Sequence, residues 1–135
     1  MLESFGSAVQ YFNPHPKGKL VNDCVKRALT LATGKSYQEI SLALNRYKKI
    51  TNSKSFNSRK NVKEFIEKEL GYKKLSFPAV AGMPRMNGYI FTKKYPKGKY
   101  ILNMAKHLVT CVDGKLYDTF DSSDKCVYSA WVVKE

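Results

Sequence analysis

Cys24 stands where the apolar spacing of Val25, Ala28, Leu29 and Ala32 begins a helix. At a helix N-terminus the free backbone N–H groups and the dipole favour an anion, which lowers a thiol's pKa and makes it a nucleophile near neutral pH. A free cysteine packs equally well as a small hydrophobe. His107 is one of two histidines and opens a predicted strand, from which it can reach the end of a helix packed on the sheet; His15 lies between Pro14 and Pro16. A carboxylate that holds the imidazole in one tautomer completes such a set. The Asp113-Gly114 hairpin signal narrows the choice. With a two-residue turn, His107 faces Phe120 and Asp118 shares its side of the sheet. With one bulged residue, His107 faces Asp121 and Asp118 points away. Both carboxylates stay open at this point, beside the plainer reading of either as a turn or surface residue.

The elements that must position these groups follow from the apolar spacing. The first twenty residues read as irregular, punctuated by Asn13-Pro14-His15-Pro16 and Lys17-Gly18-Lys19. A helix is predicted from about Asp23 to Ala32, capped by Asn22 or Asp23 and ended by Gly34. A second starts at Ser36, whose spacing to Glu39 is that of a capping box, and carries Ile40, Ala43, Leu44 and Tyr47 on one face. Lys48 to Ser58 is polar and reads as an exposed connection. A third helix is expected from about Arg59 to Leu70, with Gly71 as its stop. Beyond it, Leu75 and Phe77 hint at a strand and Pro78 to Gly88 reads as loop. The runs Tyr89–Thr92, Tyr100–Met104, His107–Val112, Leu116–Phe120 and Val127–Val133 are predicted strands. Helices followed by an antiparallel meander imply an α+β fold with helices on one side of the sheet.

Composition bounds the rest. The 135 residues suit a single domain over 1-135. Lys+Arg 24 against Asp+Glu 11 gives a net charge of +13, which suits an acidic partner. No stretch approaches the roughly 20 apolar residues of a membrane span, and Met1 to Gln10 lacks the pattern of a secretory signal. Cys24, Cys111 and Cys126 are too widely spaced for a zinc or redox motif and read as thiols of a reducing, cytoplasmic compartment. Neither a metal nor a cofactor is expected. Nine Lys/Arg against three Glu lie between Lys48 and Lys74, among them Lys48, Lys49, Arg59, Lys60 and Lys63. A second basic cluster holds Lys93 and Lys94 beside Tyr95 and Tyr100. Basic residues interleaved with aromatics can track a nucleic-acid backbone or meet an acidic protein. Lysine-rich faces are more often simply solvated.

The segments Asn22-Asp23-Cys24-Val25-Lys26-Arg27-Ala28-Leu29, His107–Gly114 and Tyr117–Ser122 resemble a small papain-like cysteine peptidase. The likeness is to the compact bacterial and bacteriophage kind, which includes the bacteriocin-processing type, and runs from about Leu20 to Val133. It implies Cys24 as nucleophile, His107 as general base and acid, and Asp121 rather than Asp118 as the orienting group, acting on a peptide or protein substrate. The family commonly carries a Gln ahead of the Cys to help bind the oxyanion, and here that place is Gly18. Asn22, Lys19 or Asn13 then remain as donors beside the Cys24 N–H; losing one such donor costs about 10²–10³ in rate. Two functions follow. One is a thiol hydrolase that cleaves or transfers an amide or thioester acyl group. The other is a catalytically quiet scaffold, of phage accessory or anti-defence type, whose basic surface engages an acidic host protein or nucleic acid.

Overall fold

Val25, Ala28, Leu29 and Ala32 are all buried on α1 (Cys24–Thr33) in a computed structural model, which describes residues 4–5, 8–50 and 59–134. The helix ends at Gly34, whose N–H reaches the Thr30 carbonyl. The capping box forms as its spacing predicts. The Ser36 N–H donates to Glu39 Oε1 at 2.9 Å and the Glu39 N–H to Ser36 Oγ at 3.1 Å. It opens α2 (Tyr37–Ile50), which buries Ile40, Leu44 and Tyr47 and runs on through Lys48 and Lys49 to Ile50. The rest of the expected connection, 51–58, lies outside the described residues. The third helix is α3 (Arg59–Glu64), continued as a π-helical stretch over Phe65–Glu69.

Among the described residues seven strands form one sheet in the order β1-β2-β6-β5-β4-β7-β3. They are β1 (Ser4–Phe5), β2 (Val9–Tyr11), β3 (Lys73–Ser76), β4 (Lys99–Met104), β5 (His107–Val112), β6 (Lys115–Asp118) and β7 (Val127–Val132). Period-two alternation sends neighbouring residues of β4 to opposite faces. Ile101 joins Leu29, Ile40, Ile66, Leu108 and Trp131 under α1, α2 and α3. Leu102 joins Phe91, Met104, Val109, Cys111 and Leu116 on the other face.

The α+β class holds, and three expectations change. Tyr89–Thr92 is not a strand but part of α4 (Gly88–Lys94). Asn87 caps it, its side-chain oxygen accepting the Ile90 N–H at 2.8 Å, and the helical spacing of Gly88, Phe91 and Thr92 buries that face despite aromatic residues that favour strand. Because Phe91 packs in the second cluster, the helices cover both faces of the sheet rather than one. The sheet is mixed, since β2, inside the segment read as irregular, runs parallel to β6. Among the described residues no helix is long and apolar enough to cross a membrane.

Candidate active site

Asp113-Gly114 decides which carboxylate meets His107. Both residues lie in the left-handed region, φ 46° and 78°, as a two-residue hairpin turn of the primed kind requires. Val112 pairs with Lys115 directly across it. No bulge intervenes, so the register leaves Asp118 in phase with the residue opposite His107. Asp118 closes the contact: its Oδ2 lies 2.6 Å from His107 Nε2, and neither residue is appreciably exposed. The preference for Asp121 is therefore corrected. Asp121 is exposed and accepts the Ser123 N–H at 3.0 Å and the Ser123 hydroxyl at 2.6 Å, holding the turn after β6.

Cys24 is the first residue of α1, half-buried, and lines one cleft with His107, near enough that each shifts the other's pKa. With Nε2 given to Asp118, Nδ1 is the nitrogen that faces sulfur. The Leu108 backbone N–H favours the same thiolate. α1 is fixed against β5 by the Thr110 hydroxyl, which donates to the Ala28 carbonyl at 2.6 Å. The Phe120 ring packs against the imidazole at a tilt of 51°, with ring centroids 5.0 Å apart.

Asp118 is held by four donors. Oδ1 accepts from Arg27 Nη2 at 3.0 Å and from the Thr119 N–H at 2.8 Å; Oδ2 accepts the Ser122 hydroxyl at 2.6 Å as well as meeting His107. Arg27 also donates to Asp23 Oδ1 at 2.8 Å, and Tyr37 donates to Asp23 Oδ2 at 2.9 Å. Asp23 is thus the residue before α1 by position, but its carboxylate makes no cap hydrogen bond because Arg27 and Tyr37 take it. Arg27, Tyr37 and Ser122 were missed in the sequence reading. The available signal was the i,i+4 spacing of Asp23 and Arg27 on the helix that carries the candidate nucleophile.

These contacts set the protonation states. Burial pushes the Cys24 thiol up, but the His107 hydrogen bond, the Leu108 N–H and the nearby positive charges prevail and hold it below its ordinary value. Burial opposes the imidazolium, yet the bonds to Asp118 and Cys24 raise His107 to about 9. Asp118 is pushed up by burial and pulled further down by His107 and its other donors, so it stays ionised. Burial and the neighbouring Asp23 raise Tyr37 to about 12, keeping it a donor. These shifts favour a thiolate–imidazolium pair beside a carboxylate.

That pair has a testable linkage consequence. Between about pH 6.5 and 8.5 an unfolded thiol with a neutral imidazole carries one proton, and so does the folded ion pair, so the two contribute no slope to stability there. Cys24→Ala removes the thiol and leaves a histidine that Asp118 still raises. Its stabilisation is complete below about pH 6.5, the unfolded value, and is lost as pH rises through the folded one. The thermal midpoint of Cys24→Ala relative to the parent is expected to fall across this interval; a flat difference would show that no such ion pair forms.

A cleft opens over Cys24 and His107, and Asn22 lines it. Asn22 is the only oxyanion candidate placed there. Lys19 and Asn13 do not line the cleft; the Asn13 amide donates to the Lys19 carbonyl, within the N-terminal segment. Gly18 sits in a tight turn at φ 67°, its N–H bonded to the His15 carbonyl, a conformation that a Gln side chain would strain. Of the basic residues, Lys63 lines the cleft. Lys48 and Lys49 end α2, Lys60 lies on α3, and Lys93 and Lys94 end α4 on the opposite face of the sheet, so they do not form one continuous patch. The side chain of Arg59 lies outside the described residues. Among the described residues no group of three or more His, Cys, Asp or Glu is placed to hold a metal ion. No protein-family model, curated protein or solved structure matches the chain, so the arrangement of Cys24, His107 and Asp118 stands on its own geometry.

Proposed function

We propose that the protein is a small papain-like thiol hydrolase that cleaves or transfers an amide or thioester acyl group. The observation that carries this reading is one cleft lined by Cys24, at a helix N-terminus, and by His107, whose Nε2 lies 2.6 Å from the buried Asp118. The Cys24 thiolate attacks the acyl carbon, and the carbonyl electron pair moves onto oxygen. Cys24 and Asn22 both line the cleft, and the backbone N–H of the first and the amide of the second are the donors proposed for that oxyanion. Collapse breaks the bond to the leaving amine or thiol, which takes the proton from His107 Nδ1. Water or an amine then gives its proton back to Nδ1 and attacks the thioester, releasing the acid or amide and the Cys24 thiolate. Asp118 keeps the Nε2 proton in place throughout, as the carboxylate of a triad does.

Thiol alkylation tests the reading. Near pH 7 iodoacetamide is expected to modify Cys24 far faster than the other two thiols, and His107→Ala is expected to erase the difference. Cys111 is fully buried, and burial pushes its thiol up to about 12. Cys126 is half-buried at a bridge with Asn87. Equal rates at all three would favour the second reading, a catalytically quiet scaffold that engages an acidic protein or nucleic acid. The left-handed Gly18 turn, which offers no oxyanion side chain, is the observation on that side.

A further inference from the structure

The cleft beside Cys24 has walls of a definite kind. Val25 of α1, Val62 of α3 and Leu108 of β5 line it, each buried but with an edge turned to the opening. Lys63 and Lys106 border it, and among the described residues that line it none is acidic. Lys106 sits between β4 and β5 in the left-handed region, φ 51°, exposed at the His107 end. Lys63 is crowded by a second cation. Lys74 lies near enough that the Lys63 charge, with burial, holds the Lys74 ammonium below its usual range. Glu67 partly offsets this, but its carboxylate also accepts the Trp131 indole N–H at 2.9 Å. Neighbouring like charges repel, and an anion placed between them relieves the repulsion. The cleft therefore offers apolar walls next to the nucleophile and two lysines at its border with no acid in its own lining.

We propose that the acyl donor is an acidic peptide, seating an apolar side chain against Val25, Val62 and Leu108 and an adjacent carboxylate side chain by Lys63 and Lys106. This rests on the hydrolase reading above. The walls favour a peptide over a nucleic acid, because a sugar–phosphate backbone has no apolar group to fill them and no acyl carbon for Cys24. Lys63 is half-buried and Lys106 exposed, so each ion pair is screened and the selectivity is modest, about fivefold for the two together.

Peptidyl vinyl sulfones measure this directly. The Cys24 thiolate adds to the β-carbon of the vinyl group and the α-carbon takes the His107 proton, so the labelling rate reports binding in the cleft. Probes with Leu next to Asp, Asn or Lys, on either side, are compared on the full chain, with iodoacetamide as a reference that needs no subsite. The Leu-Asp probes are expected to label Cys24 about fivefold faster than Leu-Asn, with Leu-Lys slowest, and the spread is expected to shrink at high salt. Lys63→Glu combined with Lys106→Glu is expected to invert the order, a ratio within one sample that does not depend on how much protein is folded. Equal rates for the three probes at an iodoacetamide-reactive Cys24 would overturn the acidic donor and leave the hydrolase reading standing. A Cys24 no faster with iodoacetamide than Cys126 would overturn both.

Discussion

Asp118→Asn is expected to slow acyl transfer about 10⁴-fold, the cost of locking a triad histidine in the wrong tautomer. The carboxylate is saturated: Oδ1 serves Arg27 and the Thr119 N–H, and Oδ2 serves Ser122 and His107. An amide has one accepting atom. If its oxygen keeps Arg27 and Thr119, its NH₂ points at His107 Nε2, which must then accept, and the ring proton moves to Nδ1 facing the sulfur. The imidazole is then neutral and cannot take the thiol proton. If the amide turns over, its NH₂ meets the Arg27 guanidinium and the Thr119 N–H, three donors with no acceptor among them. Either way the thiolate–imidazolium pair is lost. The pH profile of Cys24 alkylation checks this without a substrate: the variant is expected to titrate near an ordinary thiol, at about 8.5. A profile that stays low would mean that Asp118 only packs.

How far this site was legible in the sequence turns on single residues. Cys24 and His107 were legible because each heads an element with a clear period, and the structure sets them side by side. Asp118 was legible in principle: a two-residue Asp-Gly turn puts it in phase with His107, and the turn is of that kind. Choosing Asp121 came from the family resemblance, which weighs position at a strand end and not register. Arg27 was not legible, because an i,i+4 Asp–Arg pair on a helix normally lies in solvent; only the packing of α1 against β5 buries this one. Tyr89–Thr92 misled because propensity is a weak prior, and the Asn87 cap with one buried helical face outweighs it. Strand β2 is three residues long, too short to carry a period, and its parallel pairing with β6 is a tertiary outcome.

Arg27→Met is expected to cost about 3–5 kcal/mol of stability, the usual result of removing one partner from a buried ion pair. Against a total of roughly 5–15 kcal/mol for a domain, that is a large share. The charges run in alternating sign: Asp23, Arg27, Asp118, His107, Cys24. Arg27 bridges two carboxylates whose side chains are 5% and 0% exposed, so its loss leaves both short of a partner where water cannot replace it. Lysine is a poor substitute, because one ammonium cannot present the fork that spans Asp23 and Asp118, and Arg27→Lys is expected to recover only part of the loss. Two further readouts separate this role from simple packing. Asp23→Asn together with Arg27→Met is expected to cost less than the sum of the single changes, since one of the orphaned charges is gone. The Cys24 thiol is expected to titrate higher in Arg27→Met, because the guanidinium charge is among the forces that hold it down. Urea unfolding measures the first and alkylation the second. A loss below about 1 kcal/mol would class the Arg27 bridges with exposed pairs screened by solvent, and Asp118 would then owe its place to Ser122, Thr119 and His107 alone.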